Sequence, residues 1–306
     1  MLKAHHHPVK LMGCGFVISA ISDSPQEAWD AIRAAENEMR RIELKISSWR
    51  EDSETAEINK QSGIKAVDVS DETFDLIHRS LKVSQLTSGA FDISGNLARF
   101  YWQFDNKEHT LLEEGKISEL RDLINYELIE LDEAKRSVFL KKKGMKIGFG
   151  GIGKGYAANR AKTIMQNMGI KSGLINASGD LISWGKALNN DTWDIQIPDP
   201  RNRDQSLIEI SFEEGSVVTS GSYENFSIID GVRYSHIVNP KTGIPVTHTK
   251  NVTVVSPDAE LGDALATAFS VLEIEQSLNL ANKLNGIECV IIDDTDKAHY
   301  SNNLKI

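Results

Sequence analysis

Cysteine is scarce: the chain holds two, Cys14 and Cys289, far apart and in no CxxC pattern. That excludes a thiol-rich metal cluster and a CxxC redox motif. Two separate buried thiols are expected, with one long-range disulfide as the alternative. Long apolar runs are missing as well. No stretch reaches the ~18 residues of a membrane span, and the N-terminus lacks the apolar segment of a signal peptide. Positive charge is in deficit, with 34 Lys and Arg against 44 Asp and Glu, a formal net charge of -10 and a pI near 5.4. This balance speaks against nucleic acid or anionic lipid as a partner. An acidic chain still binds an anionic cofactor, given a local device such as a metal ion, a helix N-terminus or a backbone nest. The chain as given reads as cytosolic. His5, His6 and His7 form a short run able to bind metal but better read as a solvated end. Residues 1–10 are therefore expected as a tail before one domain over 11–306.

What remains is ordinary for a globular protein: 40% hydrophobic and 25% charged residues over 306 positions, enough to bury a core. Helical spacing runs over Pro25–Trp49, where Ala28, Ile32, Met39 and Ile42 share a face, and again over Asp71–Leu86. Ser118–Ile124 reads as a shorter helix with Ser118 as N-cap. Strand-like runs follow at Leu128–Leu131, Val138–Leu140 and Met145–Ile147. After a helix at Tyr156–Met168, strands are expected at Gly173–Asn176, Asp180–Trp184, Trp193–Ile197, Leu207–Phe212 and Val217–Val218. Ser235–Val238, Asn251–Val255 and Cys289–Ile292 complete them, with closing helices at Asp258–Leu272 and Ile274–Leu284. No repeat or long low-complexity linker intervenes. Strand runs come in hairpin-like pairs, which predicts a single α+β domain with mixed, mainly antiparallel sheets and flanking helices.

Three local patterns carry chemistry. Gly148-Phe149-Gly150-Gly151-Ile152-Gly153-Lys154-Gly155-Tyr156 is the densest glycine cluster. It satisfies GxGxxG, yet sits mid-chain with no acid about 20 residues on to hold a ribose. It also begins like a P-loop, but Gly155 stands where Ser or Thr would bind magnesium. What survives is a loop whose backbone approaches a phosphate closely before a helix start, or a tight turn with no ligand. Asp263 and Thr267 lie four apart, on one helical face. As hard oxygen donors they suit magnesium, which keeps waters and takes phosphate oxygens besides; alternatively they satisfy nearby backbone groups. His236 adjoins a Pro/Gly turn, Pro240-Lys241-Thr242-Gly243, and is either a structural strand histidine or a general base for a hydroxyl.

Six segments, in order, carry a family likeness: Met12-Gly13, Ser88-Gly89-Ala90-Phe91-Asp92-Ile93, Gly151 to Ala157, Thr219-Ser220-Gly221, Ser235-His236-Ile237 through Gly243, and Asp263-Ala264-Leu265-Ala266-Thr267. Over about Leu11 to Ile292 the chain resembles the FAD:protein FMN transferases, the ApbE family. The resemblance implies an α+β fold with FAD in a cleft between sheet layers. It implies Met12 and Trp49 against the flavin and Ala90, Phe91 and Asp92 as a further wall, with Lys154 and the Ile237 main chain near the cofactor. The Gly151 carbonyl, Asp263 and Thr267 would bind magnesium, and His236 would be the base. The implied reaction moves FMN from FAD to a Thr or Ser hydroxyl of an acceptor flavoprotein and releases AMP. An FAD pyrophosphatase and a non-catalytic flavin-binding protein are the alternatives. Three positions depart from the family: Gly148 where many relatives carry Asp, Cys14 where Thr or Ser is usual, and Ser178-Gly179 in place of a double glycine. None belongs to the implied metal set or is the base. Many relatives are exported, so a periplasmic or membrane-anchored form is the alternative location if a leader was removed.

Overall fold

Met12 and Gly13 form a tight turn with positive φ at both residues, 50° and 80°. That is the backbone a two-residue hairpin turn needs. Around it β1 (Lys3–Leu11) and β2 (Cys14–Ser22) pair antiparallel along their whole lengths. Residues 3–10, expected within a tail, thus belong to an edge strand. Polar composition hid the alternation there: His6 bonds Ser19 Oγ at 2.8 Å, whereas His5 and His7 turn their rings edge-on to Trp29, at 6.2 and 6.1 Å. The computed structural model describes residues 1–105, 107–199, 202–221 and 226–304.

Ser24 opens α1 (Pro25–Ile46) by accepting the Glu27 N–H, with proline in the first turn. The helix buries Ala28, Ile32, Met39 and Ile42 as the spacing predicts, and stops at Ile46, three residues short of Trp49. Trp49 therefore lies in the connection to α2 (Glu54–Lys60), which is pinned by Ser53 Oγ donating to the Ser47 carbonyl at 2.6 Å. Next come β3 (Val67–Asp68) and α3 (Asp71–Leu86), the latter with the expected bounds and a Ser70 cap. A 3₁₀ turn covers Ile93–Phe100, and α4 (Glu114–Leu123) begins before Ser118, which sits inside it. β4 (Ile129–Asp132) and β5 (Ser137–Leu140) join β3 in a small antiparallel sheet. Met145–Ile147 is not a strand. The Asn59 carboxamide satisfies Ile147 instead, accepting its N–H at 2.7 Å and donating to its carbonyl at 3.0 Å.

The second half supplies α5 (Gly153–Asn167), β6 (Ser172–Ala177), β7 (Asp180–Trp184), β8 (Trp193–Asp199), β9 (Asn202–Phe212), β10 (Gly215–Gly221), β11 (Phe226–Ile229), β12 (Val232–Ser235) and β13 (Thr249–Ser256). It ends with α6 (Ala259–Val271), α7 (Ile274–Ala281), β14 (Glu288–Asp293) and β15 (Ala298–Tyr300). The main sheet runs β1-β2-β6-β7-β10-β13-β14-β15 with antiparallel neighbours throughout. Across it lie α1, α5 and α6 in that order, with α1 against β2, α5 against β6 and β7, and α6 against β10 and β13. The core fills this interlayer, with Phe16, Met39, Trp184 and Phe269 among its fully buried side chains. The chain is a mixed α+β fold, as its patterning predicted. Both cysteines are free, Cys289 buried and Cys14 half-buried. Among the described residues no helix is long and apolar enough to cross a membrane.

Candidate active site

The first turn of α5 is capped from another helix. No side chain caps its start at Ile152, and the Gly155 N–H donates to Asp263 Oδ2 of α6 at 3.1 Å. A carboxylate suits the exposed N–H groups and positive dipole end of a helix. The helices meet this closely because position 155 is glycine, since a β-carbon there would overlap the Ala259 carbonyl. Asp263 is only 2% exposed. Burial pushes its carboxyl above the usual range, and Lys154, with Nζ 3.6 Å from Oδ1, opposes that rise.

Lys154 is shared between two carboxylates. Its ammonium also pairs with Asp180 Oδ2, while Asp180 Oδ1 accepts the Thr219 N–H at 2.8 Å. Burial works against the lysine's charge, but Asp263 and Asp180 outweigh it and hold the ammonium above its ordinary pKa. Sequence reading missed Asp180, treating it as the first residue of a strand. Its signal was a carboxylate opening an otherwise apolar run, Leu181, Ile182, Trp184, directly after the Ser178-Gly179 turn.

Thr267 stands one helical turn beyond Asp263. A β-carbon on Gly151 would lie 2.6 Å from its Oγ1, so the glycine loop passes directly over this hydroxyl. Several buried hydroxyls of the helices bond the carbonyl four residues back, as Ser80 and Ser84 of α3, Thr87 at its end and Ser270 of α6 do. Among the described residues Thr267 Oγ1 makes no such bond. The loop at Gly151 thus lies over Thr267, one helical turn from Asp263, and this hydroxyl and carboxylate are hard oxygen donors that fit a magnesium ion completed by water, main-chain and phosphate oxygens. Met12 reaches the same loop, with Cε 3.5 Å from the β-carbon position of Gly153. Cys14 adjoins Lys154 and Ser178, and burial pushes its thiol up.

The remaining predicted residues form other groups. Ala90 and Phe91 are buried in the main core. Asp92 is a structural anchor: Oδ1 accepts from the Ser94 N–H and hydroxyl at 2.8 and 2.7 Å, and Oδ2 from the Tyr126 N–H at 2.8 Å. Lys241, in the turn after His236, comes within 3.9 Å of the β-carbon position of Gly89, which joins the Ser88–Asp92 segment to that turn. His236 is exposed, one residue past the end of β12 rather than within the strand expected over Ser235–Val238. The chain bends there because Ser235 Oγ takes the Ile237 N–H at 3.1 Å, and the Ile237 carbonyl accepts from Val246 at 2.9 Å. Trp49 is 71% exposed, with the Arg99 guanidinium 4.5 Å from its ring centroid. The glycine loop links these groups, for the Gly148 N–H donates to Ile93 at 3.0 Å and Gly151 reaches Thr267.

Residues 12–291 match the ApbE family. The chain belongs to that family. An FAD:protein FMN transferase of Klebsiella pneumoniae is 30% identical, with 83% of this chain and 79% of that protein covered. One of Treponema pallidum is 29% identical, covering 83% and 74%. The crystal structure of the ApbE protein from Thermotoga maritima superposes with a TM-score of 0.89 at 29% identity, over 98% of this chain and 97% of that one. The flavin transferase ApbE from Vibrio cholerae shares the fold, with a TM-score of 0.86 at 22% identity over 98% of each chain.

Proposed function

We propose that this ApbE-family chain is a magnesium-dependent FAD:protein FMN transferase. The observation that carries the proposal is the meeting of Gly151, Lys154, Asp180, Asp263 and Thr267 at the start of α5. A glycine loop beside a helix N-terminus accepts a pyrophosphate, and Asp263 with Thr267 and the Gly151 carbonyl would hold the metal. A magnesium ion held there would supply positive charge to offset that on the phosphate oxygens.

The chain's own groups do the rest. Met12 packs beside the loop, and Trp49 offers an open indole face to the flavin ring. Lys154 stays charged between its two carboxylates and in this reading faces the phosphate oxygens. His236, exposed at a bend, takes the proton from an incoming Thr or Ser hydroxyl. That oxygen bonds to the FMN-side phosphorus while the bridging oxygen leaves with AMP, so no covalent enzyme intermediate is needed. Positioning supplies much of the rate, as in other phosphoryl transfers. The partner is an acceptor flavoprotein carrying the target hydroxyl.

The test is incubation with FAD and an acceptor flavoprotein, with and without magnesium, followed by in-gel flavin fluorescence of the denatured acceptor. Metal-dependent covalent fluorescence is expected. FAD consumed with no labelled acceptor would turn the reading to a pyrophosphatase, and FAD bound but unconsumed to a storage protein.

A further inference from the structure

We propose that Asn96 reads the edge of the substrate's heterocyclic ring, and that position 148 is glycine so that it can. The inference rests on the flavin-transfer reading above and deepens it. Gly148 is not among the residues with positive φ, so its backbone does not call for glycine. Space does. A β-carbon at 148 would land on the Asn96 carboxamide, whose Cγ and Nδ2 fill that place.

Asn96 sits in the 3₁₀ turn Ile93–Phe100, half-buried, and lines a cavity of about 300 Å³ together with Ser48, Trp49, Asn59, Phe100 and Lys146. Its Nδ2 donates to Ser48 Oγ at 3.3 Å, and its Oδ1 has no hydrogen bond among the described residues. Asn59, the other carboxamide in the lining, is spent on the Ile147 main chain. Asn96 is thus the carboxamide with an acceptor and a second N–H to offer. Around it are two exposed aromatic rings, Trp49 and Phe100, with centroids 6.2 Å apart and planes tilted by 45°. Cations flank both, Arg99 at Trp49 and Lys146 with Nζ 4.1 Å from the Phe100 centroid.

Aromatic walls, a donor–acceptor amide and flanking cations suit an aromatic heterocycle that has adjacent donor and acceptor atoms and carries phosphate. The pyrimidine edge of isoalloxazine and the edge of adenine both meet that description. Gly148 lies three residues before Gly151, so one loop would hold the ring at one end and the pyrophosphate at the other. Asn96 is therefore a substrate-specificity residue, and Gly148 positions it.

The experiment measures FAD, FMN and AMP dissociation constants by titration calorimetry for the wild type, Asn96→Ala, Asn96→Asp, Gly148→Ala and the Gly148→Ala/Asn96→Ala double variant. Asn96→Ala should weaken FAD binding about three- to tenfold, the usual worth of a hydrogen bond. Gly148→Ala should weaken it similarly by displacing the carboxamide, and the double variant should be no weaker than Asn96→Ala alone. A loss confined to FMN assigns the ring as isoalloxazine, and one confined to AMP assigns it as adenine. Asn96→Asp keeps the size and removes the donor, so it serves if Asn96→Ala folds poorly, and it too should weaken FAD. Unchanged FAD affinity in both Asn96 variants, or single effects that multiply in the double variant, would overturn the inference and leave flavin transfer standing. A wild type that binds no FAD would overturn both.

Discussion

Asp263 caps the helix that begins at Gly153: the Gly155 N–H donates to Asp263 Oδ2 at 3.1 Å, across the contact between α5 and α6. One side chain thereby serves the fold and the candidate metal site together. Gly155→Ala should part the two helices, because its β-carbon would meet the Ala259 backbone carbonyl rather than a side chain that can swing away. Overpacking of this kind costs about 1–3 kcal/mol. Urea denaturation should show that loss together with a raised magnesium requirement, and wild-type stability would refute the packing argument.

Asp263→Asn keeps the shape of the cap but removes the charge. Magnesium-dependent FAD cleavage should fall below detection while the thermal midpoint moves little. Thr267→Ala should raise the magnesium needed without abolishing turnover, since a neutral hydroxyl binds the ion less strongly than a carboxylate. Full turnover of Asp263→Asn at low magnesium would remove that residue from the metal set.

Asp180 keeps Lys154 from belonging wholly to Asp263. In Asp180→Asn the ammonium has one carboxylate left, so it should compete harder with the metal for Asp263. The magnesium concentration for half-maximal activity should rise by roughly tenfold, about 1.4 kcal/mol of lost charge balance. An unchanged magnesium titration would show that Asp180 serves only β7 and β10.

Glu72 ties three helices together. Hydrogen bonds from Arg41 hold its carboxyl down to about 2 against the effect of burial, with Tyr156 and Lys45 adding to Arg41. A carboxyl lower in the folded chain than in the unfolded one gives stability that is full above about 4.5 and fades as the pH falls toward 2. Glu72→Gln should lower stability at neutral pH by roughly 1 kcal/mol, a figure kept small by partial exposure. The gap from wild type should close across that acid window, and a gap independent of pH would exclude the ion pair as its source.

Periodicity made the helices legible: α3 has the bounds its spacing predicts, and α1 overran only into the Ser47–Ser53 connection, where serine hydroxyls rather than apolar spacing direct the chain. Strand β1 was hidden because three histidines read as polar, although in a strand they divide between two faces. The Asp263–Thr267 pair was visible because four-residue spacing in a helix guarantees a shared face. Asp180 and Asn96 were not, for each acts through a neighbour distant in sequence, Lys154 and Gly148, that only folding supplies.

Flavin transfer is read from the intact mass of an acceptor flavoprotein after incubation with this chain, FAD and magnesium, with AMP quantified in the same sample. Transfer predicts that the acceptor gains the mass of one FMN less water, with one AMP released for each FMN attached. His236→Asn should slow that gain by roughly 10²–10⁴-fold, the usual worth of a general base. AMP and free FMN appearing in equal amounts beside an acceptor of unchanged mass would contradict the account.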